Sequence, residues 1–205
     1  MHKRRDSPCT LFCAAATCGA IQRINCSFYD LFSLPDKRTI AIDMVALESS
    51  FKKLQRQFHP DKFATASVEE KAISAANSSV VNQAYQILKS RVDRINYVLT
   101  NYYKVHVLEE GGSFDDPALM AEVFDLRERV DEASSGSDSD ANATRLVLLK
   151  EVESALEQLG SKLETLMKKQ GDAAIEDITK TAVRFKYLSK VREEILAATV
   201  DNETL

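Results

Sequence analysis

The chain has 205 residues with Lys+Arg 27 against Asp+Glu 31, a net charge of −4, and it is 44% hydrophobic and 28% charged. Those values exclude a wholly disordered, collagen-like or mucin-like chain, and the acidic balance argues against a general nucleic-acid binder. No apolar run approaches the roughly 18 to 20 residues of a membrane-spanning helix, so no membrane partner is expected. Six glycines, four prolines and no tryptophan favour helices with few tight turns.

All four cysteines, Cys9, Cys13, Cys18 and Cys26, lie at the amino terminus. Their spacing, C-x3-C-x4-C-x7-C, lacks the paired C-x2-C knuckles that suit tetrahedral zinc, so no metal site is expected. Nothing downstream can be held by a disulfide, and packing alone should hold the fold. The same segment carries Lys3, Arg4, Arg5 and Arg23 with Asp6 as its one acid, around a small apolar middle from Leu11 to Ile21. Scattered arginine with Ser, Thr and Ala fits an organelle transit peptide better than a secretory signal. Residues 1–27 are therefore read as a targeting or disordered segment. Mitochondrial (matrix) import is favoured, with a cytoplasmic location as the alternative.

The apolar turn Tyr29 to Leu34 stops at Pro35, and a connector leads to Asp43, a good helix N-cap. Met44, Leu47, Phe51, Leu54 and Phe58 then recur every three or four residues and should form one buried helical face. Lys52, Lys53 and Arg56 fall on the other side, either as a solvated face or as a charged docking face. Pro60 ends the helix, since its ring clashes with the carbonyl four residues back. After the loop 59–67, a second long helix is predicted over Val68 to Leu88, with Ser67 and Glu70 as a capping box. Its expected stripe is Ile73, Ala76, Val80, Ala84, Ile87 and Leu88, and the two helices can pair antiparallel. A further helix near Arg91 to Tyr103 carries Val92, Ile95, Leu99 and Tyr102, before Gly111 and Gly112 mark a junction.

Three more helical patterns follow. Pro117 suits a first helical turn, with Leu119, Val123, Leu126 and Val130 on one face, and a Ser/Gly/Asp loop is expected from Ser134 to Asn142. Leu149, Val152, Leu156, Leu159, Leu163 and Leu166 make the cleanest stripe, either a bundle core or a self-association seam. Gly171 and Asp172 turn the chain into a last helix, with Ile175, Ile178, Ala182, Phe185, Leu188 and Ile195 inward.

No Ser-His-Asp, Cys-His, phosphate-loop or HExxH arrangement is present, and there are only three histidines. No enzyme and no cofactor are expected. His2 lies in the amino-terminal segment and His106 reads as a surface residue, whereas His59 begins His59-Pro60-Asp61 between two amphipathic helices. Helix termination alone would also account for His59 and Pro60. The tripeptide, the Tyr-Asp-Leu-Phe-x-Leu-Pro opening at Tyr29 and the segment Asn82-Gln83-Ala84-Tyr85-Gln86-Ile87-Leu88 resemble J-domain landmarks in order. That resemblance implies docking onto a DnaK-type ATPase chaperone. Asp61 would pair with an arginine of the partner, and Lys52, Lys53, Arg56 and Lys62 would meet an acidic surface.

Met120 and Phe124 fall to one side of the Leu119–Val130 face, beside Asp125, Glu128 and Glu132. Such a ridge is either a protein-recognition surface or a wide buried face touching two neighbours. The run Pro-Ala-Leu-Met-Ala-Glu-Val-Phe-Asp-Leu-Arg-Glu-Arg-Val-Asp-Glu from Pro117 after a J domain resembles the HscB iron-sulfur co-chaperones. The likeness runs from about Phe28 to Ala198. It implies binding of an iron-sulfur scaffold protein (IscU/ISCU-like) through Met120, Ala121, Phe124, Asp125, Glu128 and Glu132, with Tyr187 from the last helix.

The expected fold is all-α: a J-domain helical hairpin with flanking helices over 28–105, a linker over 106–116, an L-shaped junction to a three-helix bundle over 117–200, and a tail over 201–205. The expected protein is a monomer that stimulates a chaperone's ATPase and delivers the scaffold for cluster transfer. The alternatives are a general J-domain adaptor for another client and a helical scaffolding or oligomerisation protein.

Overall fold

The structure, a computed structural model, describes residues 9–13, 19–34, 39–106, 116–134, 139–168 and 172–200. The expected features at Lys3 to Arg5, Cys18, Pro35, Gly111, Gly112 and Gly171, and the tail 201–205, lie outside these residues. So does all but the ends of the 106–116 linker. Among the described residues seven α-helices run in order: α1 Phe28–Leu31, α2 Met44–Gln57, α3 Val68–Lys89, α4 Arg91–Val98, α5 Pro117–Ser134, α6 Ser139–Lys168 and α7 Asp172–Val200. Among the described residues the only β pairing is an isolated antiparallel bridge between Phe12 and Ile21. The chain divides into two compact units, Met1–Arg94 and Ile95–Leu205, a division that falls inside α4.

In the first unit α2 begins at Asp43, whose carboxylate accepts from the Val45 and Ala46 amides and so satisfies two of the helix's open donors. Leu47, Leu54 and Phe58 are buried as the spacing predicts, whereas Met44 in the first turn is 40% exposed. Three links fix the pairing with α3. The Phe51 ring stacks on Tyr85 at 3.9 Å between centroids, Gln55 Nε2 donates to Asn82 Oδ1 at 3.4 Å, and Ser74 Oγ donates to the Phe58 carbonyl at 3.0 Å. Numbers rise along α2 as they fall along α3, so the helices are antiparallel.

The buried stripe of α3 is displaced by one residue from the expected one. Its centre is Ser74, Asn77, Val81, Ala84 and Leu88, while Ile73, Ala76, Val80 and Ile87 are half-buried flanks. The cause is polar: Ser74 and Asn77 are buried because each serves a distant main-chain group. Asn77 donates from Nδ2 to the Gln22 carbonyl at 2.7 Å and accepts at Oδ1 from the Ile24 amide at 3.1 Å.

For 9–13 and 19–27 that bracket corrects the disordered reading of residues 1–27 and leaves the targeting reading untested. They are folded onto the first unit: Ile21 is buried, Cys13 N donates to Ala20 O at 2.8 Å, and Gln22 N donates to Leu11 O at 2.9 Å. A Cys9–Cys26 disulfide links the two limbs, so packing does not hold this fold alone.

In the second unit α5, α6 and α7 pack on one another as a three-helix bundle. Leu119, Val123, Leu126 and Val130 of α5 are buried, as are Ile178, Ala182, Phe185, Leu188 and Ile195 of α7. The α6 stripe lies in the core of its own bundle, which disfavours the seam alternative. It runs through Leu148, Val152, Leu156, Gly160, Leu163 and Leu166, with Leu149 and Leu159 half-buried at its border. Helix α6 starts at Ser139, inside the loop expected over 134–142. Interhelical ion pairs tie the helices together: Arg127–Glu194 and Arg184–Glu122 join α5 to α7, Arg129–Glu151 joins α5 to α6, and Arg192–Glu153 joins α6 to α7. Past α4, the π-helical turn Leu99–Tyr103 ends at Lys104 with φ 60°, and Tyr103 Oη donates to the Met167 carbonyl at 2.8 Å.

Candidate functional site

Two surfaces carry the residues singled out above, one in each unit. In the first, Phe58 caps α2 and the chain turns at once into a short 3-10 helix, Pro60–Phe63. Proline suits this position because its fixed φ matches the first helical residue, where no donor is needed. His59 is the N-cap, and its Nδ1 accepts from the Asp61 amide at 3.3 Å, which leaves the neutral ring's proton on Nε2. The same Nδ1 lies 3.4 Å from Asp61 Oδ2, so imidazole and carboxylate sit side by side rather than on opposite sides of the turn. The Asp61 side chain is 89% exposed. The turn is closed by Lys62 N donating to His59 O at 3.0 Å and Ala64 N to Asp61 O at 3.3 Å. This is a rigid, outward presentation of a carboxylate.

The basic residues are divided. Lys52 Nζ is held at 2.6 Å by Glu48 one turn back, and that hydrogen bond holds the Glu48 carboxyl below its ordinary value. Lys53, Arg56 and Lys62 are exposed. Lys52 thus contributes less net charge to this face than its position suggests. Ser74, Asn77 and Phe12 were missed by sequence reasoning. The Phe12 ring stacks at 6.0 Å and 15° against Phe58, immediately before the turn. Nothing in local periodicity points to partners so far apart in sequence.

In the second unit, α5 buries one side and leaves the opposite side bare. Phe124 is 70% exposed and Met120 37%, and Ala121, Asp125, Glu128 and Glu132 are exposed beside them. At about 100° per residue these six share a sector facing away from Leu119, Val123, Leu126 and Val130. The reading of Met120 and Phe124 as a wide buried face is therefore overturned. Tyr187 on α7 is half-buried near Arg127, whose guanidinium pKa is raised first by its hydrogen bonds to Glu194 and to a lesser extent by Asp131 and Tyr187. An apolar strip with an acidic border suits a partner with a small oily pocket and basic rim. Among the described residues no cluster of His, Cys, Asp or Glu could hold a metal ion.

Residues 115–196 match the family model of the HSCB C-terminal oligomerisation domain. The co-chaperone protein HscB homolog of Pseudoalteromonas atlantica is 32% identical over 170 residues, covering 82% of this chain and 94% of that protein. The chain belongs to the HscB family of co-chaperones. The co-chaperone protein HscB of Proteus mirabilis agrees, at 30% identity over 169 residues, covering 82% of this chain and 92% of its own. Among solved structures, human co-chaperone protein HscB superposes with a TM-score of 0.78 at 21% identity, over 93% of this chain and 91% of that one. Chaperone HscB from Vibrio cholerae gives 0.71 at 24% identity, over 87% and 99%. Both structures share the fold expected for the HscB family, a J-domain hairpin and a helical bundle. A co-chaperone regulates a partner rather than transforming a substrate, so the non-enzymatic expectation agrees with the family.

Proposed function

We propose that this HscB-family chain docks its His59–Asp61 turn on a DnaK-type ATPase chaperone, stimulates ATP hydrolysis there, and delivers an iron-sulfur scaffold protein bound along the exposed ridge of α5. The observation that carries this reading is the Asp61 carboxylate, 89% exposed on a turn closed by its own backbone bonds. An exposed charge on a stiff turn costs little ordering entropy when it pairs with a partner's arginine. Lys53, Arg56 and Lys62 add positive potential around it, and this favours encounter with an acidic surface. His59, Pro60 and Lys52 complete the docking set. Met120, Ala121, Phe124, Asp125, Glu128 and Glu132 form the scaffold surface, and Tyr187 borders it. With scaffold on one surface and chaperone on the other, tethering raises the partners' effective concentration.

The mitochondrial address read from the basic amino terminus belongs to this proposal with one amendment. Residues 9–13 and 19–27 stay with the mature protein, because cutting after residue 27 would strip the buried Ile21 and both Asn77 bonds from the first unit.

A coupled ATPase assay with the chaperone, with and without scaffold, tests the whole reading. Stimulation by the chain and further stimulation when scaffold is added are expected. Absence of any stimulation removes the docking role.

A further inference from the structure

Residues 9–13 and 19–27 have no part in the two surfaces just described, yet they are closed on each other and tied to the rest of the first unit. The second limb is bolted to α3 by the two Asn77 amide bonds. The first limb is held differently. It is joined to the second by two backbone hydrogen bonds, Cys13 N to Ala20 O and Gln22 N to Leu11 O, and by the Cys9–Cys26 disulfide. It also lays the Phe12 ring on Phe58. Phe58 in turn is fixed at its amide by Leu54 O and at its carbonyl by Ser74 Oγ, and the next residue is His59. The stack is therefore a side-chain buttress on the last residue before the docking turn, and two weak backbone bonds would fray without the covalent link.

We infer that residues 9–13 and 19–27 form a disulfide-closed clasp that makes Phe12 a positioning residue for the His59–Asp61 turn, so that the redox state of the Cys9–Cys26 pair sets how firmly the turn is presented to its chaperone. The last clause rests on the docking reading; the clasp itself does not. Opening is ordinary thiol–disulfide exchange with a dithiol. One thiolate of the dithiol attacks a sulfur of the pair and displaces the other cysteine as thiolate, and its second thiolate then releases the first cysteine. Two electrons and two protons end on Cys9 and Cys26, and the dithiol leaves as its own disulfide. Access exists: Cys9 lines a groove of about 460 Å³ shared with Leu11, Asp30, Lys53 and Gln57.

Full-length chain is compared with its clasp closed and after reduction by dithiothreitol, beside the double variant Cys9→Ser/Cys26→Ser and the closed variants Phe12→Ala and Phe12→Tyr. The first readout is amide hydrogen exchange at Lys62 and Ala64, the donors that close the turn. Reduction, the double variant and Phe12→Ala should each speed that exchange by about three- to tenfold, the range one aromatic stack supports. Phe12→Tyr, which keeps the ring, should match the closed wild type. The second readout is the concentration of chain giving half-maximal ATPase stimulation, which should rise in the same order at unchanged maximal rate. Equal exchange in the closed and reduced chains overturns the clasp, as does a Phe12→Ala variant with wild-type exchange. If the closed wild type stimulates no ATPase, the docking reading falls and the exchange data still decide the clasp.

Discussion

The turn at His59–Asp61 and the ridge on α5 expose their side chains by opposite routes. The turn is a short 3-10 helix that follows directly on Phe58, whose carbonyl is taken by Ser74 and whose ring is covered by Phe12. Its working groups are polar, and their relation to each other depends on caps and backbone bonds. The ridge is a regular helix whose inner side is consumed by the bundle, so Met120 and Phe124 are simply the apolar side chains left outside. In the first region the support lies behind the proposed docking residues, and in the second the proposed scaffold residues lie outside the bundle core. Substitutions at the tips of both should therefore separate binding from folding.

The sharpest way to break this contrast is Asp61→Ala. Removing one member of a desolvated charge pair costs about 2 to 5 kcal/mol, so ATPase stimulation should fall by about thirtyfold or more in a coupled assay. Scaffold capture should be unchanged. Because the side chain is 89% exposed, thermal stability should also hold, as is usual for surface changes within about 0.5 kcal/mol. Full stimulation by this variant would remove the docking assignment. Phe124→Ala is the matching cut on the ridge. A large apolar anchor carries about 2 kcal/mol or more, so calorimetric titration with scaffold should show about thirtyfold weaker binding. Stimulation of the chaperone alone should not change.

How much of each region could be read beforehand follows the same division. Wherever burial and hydrophobicity coincide, as at Leu119, Val123, Leu126 and Val130, periodicity identified the core, and the leftover Met120 and Phe124 could be picked out by subtraction. On α3 that logic failed by one residue, because Ser74 and Asn77 are buried for their hydrogen bonds and a hydrophobic count places them outside. The clasp failed for a related reason. Its composition resembles a targeting segment, while its anchors are Asn77 and Phe58, many residues away, and no local pattern signals them. The tripeptide itself was legible, but the side-by-side placement of imidazole and carboxylate was not, since it arises from His59 acting as N-cap to a 3-10 turn.

A smaller effect separates anchor from border on the ridge. Glu128 is exposed at the edge of the apolar strip, where a charge steers encounter more than it holds the complex. Glu128→Ala should slow association with scaffold by about two- to fivefold at low salt, with dissociation little changed. Stopped-flow traces at two ionic strengths decide this: the difference should shrink as screening rises. A loss that is independent of salt and confined to dissociation would make Glu128 part of the anchor.

The smallest effect concerns what keeps the ridge-bearing helix seated. Arg129 on α5 holds Glu151 on α6 through two hydrogen bonds, at 3.2 and 2.8 Å, and this pairing lowers the Glu151 carboxyl below its ordinary value. A carboxyl depressed on folding stabilises the native state above its unfolded value, and that contribution is lost as pH falls through the folded value. Both side chains are half exposed, so the contribution is only about 0.5 kcal/mol. Urea unfolding of wild type and Glu151→Gln should differ by that amount at neutral pH and converge in acid below the ordinary carboxylate range. A gap that persists in acid would mean that Glu151 seats α5 by packing rather than charge.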